Sequence, residues 1–246
     1  MAKESFIDRP FLLPSVVLGF GMFISAVAVS YSMYAIRALD NTLSVTGSAK
    51  QNVTADNAKW VISVSHSAYE GSLSSAYNEV ERDTASAISY FKTMGIAPEN
   101  ITANTVSADQ DWSYQRTSGE PMRYNVHQEI TIQSTNVEKI ATLAQNTSAL
   151  LDRGIQATPR QPEYYITNLP ELRVSLLSDA VKDARARANS IASSGGGSVG
   201  KLKSASSGVV QVLAPNSTNV DDYGSYDTST VDKVVSVTAR AVFLVR

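Results

Sequence analysis

Residues 11–36 read FLLPSVVLGFGMFISAVAVSYSMYAI, a run with no Asp, Glu, Lys, Arg, His, Asn or Gln. At helical rise the run is about 39 Å long, and a bilayer's hydrocarbon core is about 30 Å thick. It is apolar all round and lacks the polar stripe of a core-facing helix. A cleaved leader has a shorter apolar core and a small-x-small exit. Ala26-Val27-Ala28 offers such an exit, yet apolar character continues past it to Ile36. The expectation is an uncleaved single-pass anchor, with the lipid bilayer as its partner. Tyr31 and Tyr34 sit where interfacial aromatics belong, and Gly21 with Ser25 makes a small-xxx-small pair. Lys3 and Arg9 before the run balance Arg37 and Lys50 after it, so charge leaves the orientation open. The chain therefore divides into a tail (1–10), an anchor (11–36) and a soluble domain (42–246).

The composition narrows what that domain does. The 246 residues carry a net charge of −2 with no basic stripe, which argues against nucleic acid as a partner. There is no cysteine, which removes disulfides, thiol nucleophiles and Cys-ligated zinc.

Beyond the anchor, period-two stretches alternate irregularly with helical ones. Leu43, Val45 and Gly47 alternate with Ser44, Thr46 and Ser48. Trp60, Ile62, Val64, His66 and Ala68 share one face of a second strand, after a turn at Asp56-Asn57. A helix from Ser72 buries Leu73, Ala76, Tyr77, Val80, Ala87, Ile88 and Phe91, with Glu79, Glu81, Arg82 and Asp83 read as solvated. Gly95 and Pro98 end it. Strands are expected at 101–112 and 122–134. Thr135-x-x-Glu138 reads as a capping box opening a helix to Gly154 whose buried side includes Ile140, Leu150 and Leu151. Pro159 and Pro162 make 155–167 an edge or bulged strand. Asn168-x-x-Glu171 opens the longest helix, buried along Leu172, Leu176, Ala180, Val181, Ala184, Ala188 and Ile191 and ended by Gly195-Gly196-Gly197. A strand at 201–213, an exposed Asn-, Ser-, Asp- and Tyr-rich loop at 215–230 and an alternating strand from Val234 to Val245 complete an α+β domain with three helices.

Three runs carry a family resemblance. They are Leu43-Ser44-Val45-Thr46-Gly47-Ser48-Ala49, then Gly95-Ile96-Ala97-Pro98-Glu99-Asn100-Ile101-Thr102, and then Asp179-Ala180-Val181-Lys182-Asp183-Ala184-Arg185-Ala186-Arg187-Ala188 with Gly200-Lys201-Leu202 after it. In this order they resemble the SIMPL-domain family, which includes bacterial periplasmic immunogenic proteins. The sequence departs from the family at Asp109-Gln110-Asp111-Trp112-Ser113-Tyr114 and at the triple glycine. The resemblance implies an α+β fold of mixed or antiparallel strands, an extracytoplasmic place and, in some members, ring-like self-assembly. It supplies no catalytic residues.

Chemistry-bearing residues are few. His66 ends an apolar strand face, and His127 shares a polar one with Glu129, half of a metal site where zinc needs at least three protein ligands. No G-x-S-x-G elbow occurs. Gly195–197 lies at a helix C-terminus, where the dipole repels phosphate. Asp109, Asp111, Asp221 and Asp222 lack EF-hand spacing. Asn52, Asn100, Asn146 and Asn216 begin N-x-[ST] runs that a Ser/Thr-rich chain produces by chance. No catalytic, cofactor or metal residue is assigned. The expected function is a non-enzymatic, membrane-anchored envelope protein of the bacterial inner membrane, homo-oligomeric through its domain. The alternative is a partner-binding module using 215–230 with Trp112 and Tyr114.

Overall fold

The computed structural model describes residues 12–38, 41–114, 119–218 and 223–246. The tail at 1–10, Asp221 and Asp222 lie outside them. The first helix, α1 (Leu12–Ala38), contains a 22-residue span, Pro14–Ala35, long and apolar enough to cross a membrane and nowhere buried by protein. The Ser25 hydroxyl donates to the Gly21 carbonyl of its own helix at 2.8 Å.

The rest is α+β. The chain packs as two compact units, one of Met1–Ser48, Leu177–Gly208 and Thr238–Arg246, the other of Ala49–Leu176 and Val209–Val237. Strands β1 (Thr42–Thr54), β8 (Val199–Leu213) and β9 (Asp232–Val245) form a three-stranded sheet in the order β1-β9-β8, and each contributes residues to both units.

The larger unit is built on two long antiparallel strands, β2 (Asn57–Tyr69) and β5 (Arg123–Ser134), in register from Ala58 opposite Ser134 to Tyr69 opposite Arg123. Trp60, Ile62 and Val64 of β2 and Ile130 and Ile132 of β5 share one face and are fully buried. Helix α2 (Leu73–Thr93) covers them with Ala87, Tyr90 and Phe91, and α3 (Val137–Gln145) with Val137, Ile140 and Leu143. The Trp60 and Phe91 rings meet edge to face at 5.6 Å, and the indole N–H donates to the Arg160 carbonyl.

Short strands complete this sheet. The expected strand at 101–112 is two pieces, β3 (Ile101–Ala103) and β4 (Ser107–Gln110), both on β5. The proline-bearing segment is likewise two, β6 (Ala157–Pro159) and β7 (Glu163–Tyr165), both on β2. Each proline lacks a ladder donor, and the edge they form is interrupted accordingly.

Two expectations about helices change. The cap of α3 is Asn136, whose side chain accepts from the Lys139 N–H, so Thr135 does not form the box. That helix also stops at Gln145, and a separate single turn, α4 (Ser148–Leu151), buries Leu150 while leaving Leu151 exposed.

In the smaller unit, α5 (Leu169–Ser194) lies on β1 and β9 through Ala184 and Ala188, against Val45, Ala241 and Phe243. A Cβ on Gly47 would stand 2.1 Å from the Ala180 carbonyl oxygen and 2.3 Å from the Ala184 nitrogen, so only glycine allows the approach. Beside it, Asp183 accepts the backbone N–H of Ser48 at 2.8 Å, and the Arg187 guanidinium holds Asp183 at 2.7 Å. The run that carries the family resemblance is thus a structural clamp of helix on strand. Its buried row is Ala180, Ala184, Ala188 and Ala192, and Ile191, expected inside, is 53% exposed.

Candidate interaction surfaces

The sequence-singled histidines are both engaged with carboxylates. His66 on β2 hydrogen-bonds Asp83 of α2 through Nε2 at 2.8 Å, and its Nδ1 lies 3.6 Å from Glu79. Asp83, expected among the solvated charges, is buried, because it falls one turn after Val80 and one turn before Ala87. With both ring nitrogens facing α2, His66 clasps strand to helix.

His127 and Glu129 do not converge. The Nδ1 of His127 stands 3.7 Å from Asp109, whereas Glu129 pairs with Arg160 at 2.5 Å. Among the described residues no three His, Asp or Glu side chains cluster as a metal site. Gly195–197 donates its N–H groups back to the helix, Gly195 to Ile191 and Gly197 to Ala192, with Gly196 at φ 75°. Those donors are unavailable to an anion.

Two surfaces present aromatic and charged side chains, both on the larger unit. The first is the turn leaving β4. The Asp111 carboxylate accepts from the Ser113 hydroxyl and N–H and from Arg123. The Ser113 hydroxyl foremost, then Arg123, hold Asp111 down at about 2 against an ordinary 3.8. Arg123 also stacks on the Tyr114 ring at 4.7 Å. Hydrogen bonds to Tyr69 and Glu120 push the Tyr114 hydroxyl up to about 12. Trp112 stands on this frame 84% exposed.

The second is the segment 223–230. Ser225 and Asp227 pair with Val212 in a short parallel bridge, and Thr228 accepts from the Tyr164 N–H. The Ile166 N–H donates to the Tyr226 hydroxyl, and the Tyr226 ring leans on Tyr165 at 6.0 Å. Burial raises the Asp227 carboxyl, but donors from Ser229 and Thr230 and the nearby Lys233 outweigh it and leave it lowered. Lys233 has a fully buried side chain and donates to the Asp227 carbonyl at 2.6 Å. Burial lowers its ammonium against the attraction of Asp227. Tyr223 is 95% exposed here. Sequence reasoning passed over Lys233, although it stands in phase with Val235 and Val237 on the buried side of β9.

The two surfaces sit at opposite ends of β2. Tyr114 packs on Tyr69, at its last residue, and Tyr165 pairs with Asn57, at its first. Along the strand that is about 40 Å. Trp112 and Tyr114 therefore belong to a different surface from the 215–230 segment.

These features define an α+β domain that follows one apolar helix and whose recurring sequence motif is a helix-on-strand clamp. The model of the SIMPL family, described as a protein of unknown function (DUF541), matches residues 43–243, and the chain belongs to that family. No curated protein matches the sequence. Among solved structures, a crystal structure from Burkholderia cenocepacia bearing a provisional amidohydrolase/peptidase name is similar at 19% identity and a TM-score of 0.22. The similarity covers 50% of this chain and 29% of that one, and carries no inference about fold or chemistry.

Proposed function

We propose that this SIMPL protein is an uncleaved, inner-membrane-anchored envelope protein that works without catalysis, its domain joining copies into a homo-oligomer on the extracytoplasmic side. Family membership supports envelope association, and α1 supplies a helix of membrane-spanning length. The observation that carries the assembly reading is β8. It is a 15-residue edge strand on which Lys201 through Ser207 are all exposed. Ser198 exchanges both backbone bonds with Arg246, so the N–H groups of Val199 and Lys201 turn away from β9. Segment 225–227 covers the strand at Val212, and the exposed stretch from Lys201 through Ser207 is a template for strand addition. Because β1 is the sheet's other edge, β8-to-β1 pairing between copies is head-to-tail and closes into a ring when the rotation permits. Anchoring raises the effective concentration, so modest contacts suffice.

Lys201→Pro removes an outward N–H and leaves the β9 ladder intact. Light scattering of the detergent-extracted full chain should show this variant shifted to smaller particles with an unchanged circular dichroism spectrum. Particles of unaltered size would refute β8 as the joining edge.

A second reading, a partner-binding module, is favoured by the exposure of Trp112 and Tyr223. The separation of the two surfaces makes it testable in halves. Trp112→Ala and Tyr223→Ala should each remove a different set of co-purifying envelope proteins, and identical sets in both variants and the parent would end that reading.

A further inference from the structure

A groove of about 470 Å³ in the smaller unit opens between the start of β1, the end of α5 and the end of β9. Asn41, Leu43, Ile191, Gly195, Val245 and Arg246 line it. Its position along the chain is distinctive. Helix α1 ends at Ala38, and Asn41 is already fixed to β9, accepting the Val245 N–H at 2.9 Å. Three residues of chain span at most about 11 Å. The membrane-spanning run, Pro14–Ala35, ends three residues before Ala38, one further turn of helix. Asn41, at the groove's edge, therefore lies within about 15 Å of the end of the apolar span, a distance comparable with the polar layer of a bilayer and the first water beyond it.

The groove's chemistry fits that place. Ile191 is a large aliphatic side chain 53% exposed, one position off the buried alanine row of α5. Leu43 and Val245 continue the apolar lining, and the exposed guanidinium of Arg246 sits at its edge. An aliphatic floor beside a cationic rim matches an interface that presents upper acyl carbons and phosphates together.

We infer that this groove rests on the lipid headgroup layer where α1 emerges, with Ile191 reaching the upper acyl region and Arg246 facing lipid phosphate. The anchor then holds the smaller unit against the bilayer surface instead of acting as a free leash. The inference rests on α1 being retained as a membrane span.

The chain's lack of cysteine makes the test direct. Full-length Ile191→Cys, Asp179→Cys and Val17→Cys variants are labelled with an environment-sensitive nitrobenzoxadiazole dye. Each is reconstituted into phosphatidylethanolamine–phosphatidylglycerol vesicles, with and without lipids brominated near the top of the acyl chain. Asp179 lies three helical turns away on α5 and is a surface ion-pair residue, and Val17 is inside the apolar span. The inference predicts that the Ile191→Cys label shifts to the blue and loses fluorescence to brominated lipid, while the Asp179→Cys label does neither. Quenching of the Val17→Cys label alone would overturn the groove contact and leave the anchor standing. Absence of quenching at both Val17→Cys and Ile191→Cys would overturn the anchor reading and the inference with it. A blue-shifted Ile191→Cys label that bromine does not quench would mean that protein covers the groove, which also overturns it.

Discussion

Gly47 shows how a single hydrogen atom decides a contact. Any side chain there meets the backbone of α5 at under 3 Å, and backbone cannot move aside as a flexible side chain would. Gly47→Ala should lower unfolding stability by about 3 kcal/mol, read by urea denaturation of the extracted protein. In the other unit, Asp83→Ala removes the Nε2 partner of the half-buried His66 imidazole and should cost about 1 kcal/mol in the same assay. Asp111 gives a pH signature. Its depressed carboxyl favours the folded state above the ordinary 3.8, and that contribution is lost as pH falls from there through about 2. Carboxyl titration by NMR should place its midpoint near 2, moved toward 3.8 by Ser113→Ala and by Arg123→Ala. The residue-level features differ in how visible they are in the sequence. The small positions at Gly47 and the alanines are legible as a pattern. Asp83 is legible by helical spacing but hidden by its charge, since a cluster of four charged residues reads as solvent-facing until the partner His66 is placed beside it.

At the scale of elements, period-two and period-3.6 patterns locate the long strands and helices correctly, because β2, β5 and β9 each bury most of one face. They fail where tertiary pairing divides a segment. Both β3 and β4 answer to one neighbour, β5, and the break between them has no apolar signature. At α3, Thr135 and Asn136 are adjacent cap formers, and the choice between them depends on where β5 releases the chain, one residue earlier at Ser134. The segment 223–232 has the composition of a loose loop, yet Tyr226, Asp227 and Thr228 tie it to Ile166, Val212 and Tyr164. Deleting 216–230 should therefore unfold the larger unit, read as loss of cooperative thermal melting. A contrast within the segment tests the buried lysine. Asp227→Ala removes the acceptor of Ser229 and Thr230 and the charge beside Lys233, and should cost about 3 kcal/mol, whereas Lys233→Met, which leaves the part-exposed Asp227 held by Ser229 and Thr230, should cost less.

For the whole molecule, the apolar run at 11–36 is the most legible feature of the sequence, and the order of the three family motifs makes the α+β class legible. The division into two units is not, because β1, β8 and β9 each pass from one to the other without a change in their alternation. The edge of β8 is similarly invisible. Whether Lys201 and Lys203 lie inside a sheet or at its margin depends on a strand order that only the fold supplies. That edge carries the account's central claim, that anchored copies join laterally. Native mass spectrometry of the intact full-length particle, released from membranes in mild detergent, tests it most directly. The account predicts a discrete assembly at a whole-number multiple of the 26.4 kDa chain. A strict 26.4 kDa monomer at micromolar concentration, with α1 retained, would contradict it.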